Sequence, residues 1–138
     1  MVDPLQGAMM ASGAAMRAQS IRIRVASENL ANAETTSERP GGTPYTRKTV
    51  VFANELSRAA GVDLVSVRRI ARDDAPYRIV RAPGHPAADA KGDVKLPNVQ
   101  PLIEMADIRE ANRSYEASLQ AFKQTRDLLN MTIDLLKS

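Results

Sequence analysis

No glycine interrupts residues 101 to 138, and the only proline in that stretch stands first, where a missing N–H costs a helix nothing. Apolar side chains recur through it at Met105, Ile108, Tyr115, Leu119, Phe122, Leu129, Ile133 and Leu136, with Asn112 and Arg126 in the two remaining slots. The steps alternate between three and four, which is a heptad-like seam. At about 1.5 Å per residue the helix would run roughly 55 Å, longer than a small globular domain needs. A seam of that length requires a partner helix.

The other end of the chain supplies one. From Leu5, the same steps reach Met9, Ser12, Met16, Gln19, Ile23, Ala26, Leu30 and Ala33, a row of small and flexible residues that allows close approach. Asp3-Pro4 followed by Gln6 reads as a helix start, with Asp3 as cap and Pro4 in the first turn. Asn29 to Thr36, with two asparagines and two threonines, favours local backbone hydrogen bonds and predicts a fraying end before Pro40. The expected fold is therefore α+β. Two long terminal helices pair as an antiparallel, coiled-coil-like hairpin, and a small β-rich insert separates them. The expected segments are 1–36, 37–99 and 100–138.

Within the insert, residues 37–44 form a loop around Pro40, Gly41 and Gly42, and Tyr45 to Phe52 read as a strand. Ala53 to Ala60 suggest a short helical turn stopped by Gly61. Val62 to Ile70 and Tyr77 to Val80 read as two further strands, with Asp89 to Leu96 returning as an extended segment. Residues 39–99 carry eleven Lys and Arg against six Asp and Glu, whereas the flanking segments are near neutral, so the net charge of +3 sits in the insert.

That basic insert, with Arg47, Lys48, Arg58, Arg68, Arg69, Arg72, Arg78 and Arg81, motivates a second function class: a module binding nucleic acid or an anionic surface. Only Tyr45, Phe52 and Tyr77 lie nearby for base stacking, so a charged surface meeting an acidic partner protein is the simpler account. His85 stands alone in Pro83-Gly84-His85-Pro86 and reads as a turn residue, not a ligand or catalyst. Asp73-Asp74 reads as a solvated turn, since adjacent carboxylates there point apart. No phosphate-cradling loop, nucleophile elbow or dinucleotide fingerprint occurs. These readings leave no catalytic, cofactor-binding or metal residues, no cofactor, no small-molecule substrate and no nucleic-acid partner in the favoured account.

The chain has no cysteine, which excludes disulfides and thiolate metal sites. The first basic residue is Arg17 and the apolar run from Ala8 to Met16 is broken by Ser12-Gly13, so a cleaved secretory leader is not expected. If the protein leaves the cytoplasm, another signal must direct it.

Two helices alone would form a closed hairpin. Leu102, Ile103, Leu128 and Leu135 lie off the main seam and widen the apolar stripe beyond what the thin Ala/Ser/Gln row can cover. Surplus apolar surface on a long rod implies neighbours, and a contact that repeats without closing a ring makes a helical filament. The assembly residues expected on these grounds are Met9, Met16, Ile23, Leu30, Met105, Ile108, Tyr115, Leu119, Phe122, Leu129, Ile133 and Leu136.

The sequence also carries motifs. Arg17-Ala-Gln-Ser20 and Arg22 to Ala33, the latter ending in Asn29-Leu30-Ala31-Asn32-Ala33, resemble the N-terminal element of bacterial flagellar axial proteins of the rod and hook. Pro44-Tyr45-Thr-Arg-Lys48, Gly84-His-Pro86, Gly92 to Asn98, Glu104-Met105, Glu110 to Ala117 and Asp127-Leu128 extend the resemblance over nearly the whole length, toward the proximal-rod members of that family. The resemblance implies a structural subunit of the basal body, exported unfolded by the flagellar type III apparatus under an uncleaved signal. Its terminal helices would form the D0 core of the axial tube, which spans the periplasm and transmits torque. It implies as partners other copies of the chain, other rod proteins and the export apparatus, with MS-ring and rod-base proteins as further candidates.

Overall fold

The computed structural model describes residues 3–138. In chain order it holds α1 (Pro4–Ala31), β1 (Lys48–Ser57), β2 (Val62–Arg72), β3 (Arg78–Arg81), β4 (Asp93–Leu96) and α2 (Pro101–Lys137). α1 begins where the cap predicts: Asp3 Oδ1 accepts the Leu5 N–H at 3.0 Å, with Pro4 at the first helical position. It ends at Ala31, where the Asn32 side chain takes the Glu28 carbonyl at 2.8 Å and closes the last turn. The helices pair antiparallel. Met9 and Met10, early in α1, share a groove with Phe122 and Leu129, late in α2, while Asn29 near the end of α1 bonds Glu104 in the first turns of α2.

The four strands form two separate sheets, β1 with β2 and β3 with β4. The helical turn expected over Ala53 to Ala60 does not form. β1 continues to Ser57, whose carbonyl accepts the N–H groups of Ala60 (3.2 Å) and Gly61 (2.7 Å) in a tight turn, and Gly61 takes φ 64°. Pairing with β2 supplies hydrogen bonds that outweigh the weak helical preference of Ala-Asn-Glu-Leu. A link this short makes the pair a hairpin. β3 and β4 are antiparallel, with Arg78 opposite Leu96 and Arg81 opposite Asp93.

The chain divides into two compact units. One joins Val50–Arg69 and Arg109–Ser138 to α1 as far as Ile23. Within it α1 packs on the hairpin. Gly7 is buried, and a Cβ there would meet Val62 Cγ1 at 3.2 Å. Ala14, Ala18 and Ile21 face Val65, Ser66 and Val67 across a cavity of about 220 Å³. Gly7, Ala14 and Ala18, which lie off the row expected to pair the helices, therefore admit β2. The other unit comprises Arg24–Thr49 and Ile70–Ile108. Its core holds Val25, Ala26, Ala33, Ala87, Val94 and Val99 together with three buried polar residues, Asn29, Asn98 and Glu104.

Along α2 the inward row runs Glu104, Ile108, Ala111, Tyr115, Leu119, Phe122 and Leu129, while Met105, Asn112 and Arg126 are exposed. The expected seam and the observed row coincide in the middle and part at the N-terminal end. A helix turning every 3.6 residues drifts about 20° per heptad from a strict 3.5-residue pattern, so a seam phased on Leu119 has turned about 40° by Met105, two heptads earlier, and faces outward there.

Candidate assembly surface

The expected assembly residues fall into two sets. Met9, Met16, Ile23 and Leu30 on α1, with Ile108, Tyr115, Leu119, Phe122 and Leu129 on α2, are half-buried within the chain. Met105, Ile133 and Leu136 are exposed, Leu136 to 83%. The exposed set continues onto residues outside the seam: Leu102 at 81%, Leu135 at 76%, and Ile103, Leu128 and Met131 above one half. Every residue from 131 to 138 is exposed. The groove shared by Met9, Met10, Phe122 and Leu129 has a volume of about 530 Å³, with Asp3 and Gln6 also lining it.

In the second unit a charged network occupies the ground between the end of α1 and the start of α2. Glu104 is 1% exposed, and a carboxylate so buried needs partners. Arg47 Nε donates to its Oε1, and Asn29 Nδ2 donates to its Oε2 at 3.2 Å. Arg47 Nη1 also reaches Asp73 Oδ2 at 3.0 Å. Burial works against the charge on Arg47, but its hydrogen bonds to Glu104 and Asp73 outweigh that and hold the guanidinium above its ordinary range. The Ala75 N–H, and then Arg47, hold the Asp73 carboxyl below its ordinary range. Asp73 is thus part of the network, not the solvated turn residue expected, while Asp74 is exposed. Sequence reasoning placed Met105 on the inward row and so missed Glu104. No local signal singled it out, because Asp107, Glu116 and Asp134 also stand one step from the seam.

Tyr45 gives this network a pH signature. Its hydroxyl donates to Asn29 Oδ1 at 2.8 Å, and burial, then the charges of Glu28 and Glu104, push the phenol up to about 12. A raised phenol pKa means the folded state holds its proton more tightly than the unfolded state does. The associated stability is full below the ordinary value of about 10 and is lost as pH rises toward 12. Thermal melts between those values should show the wild type losing stability more steeply than Tyr45→Phe, and equal slopes would refute the assignment. For Asp73 the sign is opposite: its contribution is present above the usual carboxylate pKa and lost as acid takes pH through the depressed one.

The basic insert spends half of its named cations on the fold. Besides Arg47, Lys48 pairs with Glu28 at 2.5 Å, Arg78 with Glu34 at 3.1 Å and with the Ala33 carbonyl at 3.0 Å, and Arg81 lies 3.8 Å from Asp93. Arg58, Arg68, Arg69 and Arg72 are exposed. Nothing here favours nucleic acid. His85 sits in a turn, its Nδ1 accepting the Ala87 N–H at 3.0 Å. Among the described residues no three His, Asp or Glu side chains gather as a metal site, and no helix is long and apolar enough to cross a membrane.

Paired terminal helices thus flank a small β insert, and the longer helix leaves apolar side chains exposed near both of its ends. Residues 91–135 match the family model described as the flagellar basal body rod FlgEFG protein C-terminal. The chain is 52% identical over 137 residues to the flagellar basal-body rod protein FlgC of Agrobacterium fabrum, covering 99% of each chain. It is 40% identical to FlgC of Escherichia coli O6:H1, covering 90% of this chain and 92% of that one. With FlgC of Bacillus subtilis the identity is 35%, covering 91% and 94%. The chain belongs to the FlgC family of flagellar basal-body rod proteins.

Proposed function

We propose that the chain is a structural subunit of the proximal rod of the flagellar basal body, adding by helix packing to the tube that transmits torque, and that it catalyses no reaction. The observation that carries this reading is the apolar surface left exposed near the two ends of α2, Leu102 to Met105 and Leu128 to Leu136, in a chain whose relatives are rod proteins. Burying those two patches on neighbours would offset the entropy of ordering two long helices. Segments 1–36 and 100–138 are then the D0 core and 37–99 the insert. The assembly residues are the twelve seam positions, from Met9 to Leu136. The partners are copies of the chain, other rod proteins, the MS ring and rod base, and the type III export apparatus, which would carry the chain to the periplasmic span under an uncleaved signal.

Leu135 provides the test. At 76% exposure it contributes little to the fold, so Leu135→Glu should change stability by less than about 0.5 kcal/mol. In a strain lacking the wild-type chain the variant should nevertheless fail to restore swimming, with normal cellular levels by immunoblot. Normal swimming would remove Leu135 from the assembly surface.

A further inference from the structure

We propose that Asn29 serves as a surrogate strand for the entry of β1, and that with Glu104 it latches that entry to both helices. An asparagine amide can accept two hydrogen bonds and donate two, and Asn29 makes all four while 1% exposed. Its Oδ1 accepts the Lys48 N–H at 2.9 Å and the Tyr45 hydroxyl at 2.8 Å. Its Nδ2 donates to the Lys48 carbonyl at 2.8 Å and to Glu104 Oε2 at 3.2 Å. Bonding both the N–H and the C=O of one residue is what a facing residue does in an antiparallel ladder.

The direction of the strand makes the role specific. The Arg47 carbonyl accepts the Asp73 N–H at 2.8 Å, so residue 47 turns its backbone toward the end of β2. Lys48, one residue on, turns to the opposite flank, which no strand covers in this two-stranded sheet. Asn29 occupies that flank at Lys48. On the other flank Asn98 does the complementary job: its Oδ1 accepts the Arg47 N–H at 2.7 Å and its Nδ2 donates to the carbonyls of Asp73 (3.2 Å) and Ala75 (2.9 Å). Two asparagines, one from the end of α1 and one just ahead of α2, thus grip residues 47 and 48 from both sides. An uncovered edge is a template for pairing with another chain, and the latch closes it where β1 begins.

The amide's polarity matters in such a latch, which gives a test by sign. Asn29→Asp keeps the shape but sets a carboxylate oxygen against the Lys48 carbonyl and Glu104. Adding Glu104→Gln supplies a donor to that oxygen. In melts of the full chain, Glu104→Gln should lower the midpoint in the wild-type background, where it deprives Arg47 of its anion, and raise it in the Asn29→Asp background. By hydrogen exchange, Asn29→Ala should speed the Lys48 amide by about tenfold, the loss of one backbone bond, while amides of the β3–β4 ladder keep their rates. A Glu104→Gln effect of the same sign in both backgrounds, or an unchanged Lys48 amide in Asn29→Ala, would overturn the latch.

Discussion

Phe122→Asp is expected to abolish swimming while the chain is still made. Phe122 is half-buried on the inward row of α2 and lines one groove with Met9, Met10 and Leu129. Removing the ring forfeits its burial, and a carboxylate put in its place has no cation among the residues lining that groove. The two effects together should cost about 3 kcal/mol or more, enough to loosen α1 from α2 in this unit. Helicity by circular dichroism and swimming in soft agar both check it. The comparison with Leu135→Glu is informative because that side chain is exposed: Phe122 should lose the helix pair and motility together, Leu135 motility alone. A Phe122→Asp strain that swims normally would show that the groove contributes nothing to the working subunit.

Glu104→Ala should produce the second large loss, through charge. It leaves Arg47 facing an apolar gap with only Asp73, and strips Asn29 Nδ2 of an acceptor in a site from which water is excluded. Breaking a buried pair from one side costs about 3–5 kcal/mol, and the partial exposure of Arg47 and its remaining bond to Asp73 bring the expectation to about 2–4 kcal/mol. Replacing both partners, Arg47→Met with Glu104→Leu, should recover the part of that due to the unpaired Arg47 charge, but not the Asn29 Nδ2 acceptor, because desolvating two charges offsets much of their attraction. Urea unfolding of the wild type and these two variants decides the matter. A single variant costing no more than the double would mean the pair is not buried in solution.

The contrast between these residues shows where sequence reasoning reached. Phe122, Leu119 and Leu129 were legible because apolar residues at helical spacing have one economical use, and the absence of glycine after Pro101 left no alternative to a long helix. The cap at Asp3 was legible because it depends only on neighbours in the chain. The β1 turn was misplaced because Ala53 to Ala60 has weak local preferences, and the partner that decides its conformation begins at Val62. Asp73 was misread for the same reason: its role depends on Arg47, far back along the chain, and no local pattern connects them.

The sequence by itself determined two long terminal helices, their pairing and the family, since these follow from periodicity, breakers and motifs that act over a few residues at a time. Only the tertiary structure decided which row of α2 faces inward at its start, that the small residues of α1 receive a hairpin, and that Asn29, Arg47 and Glu104 share one buried network. Those outcomes depend on which distant polar groups can be satisfied once water is excluded, and that condition comes into being only when the segments meet.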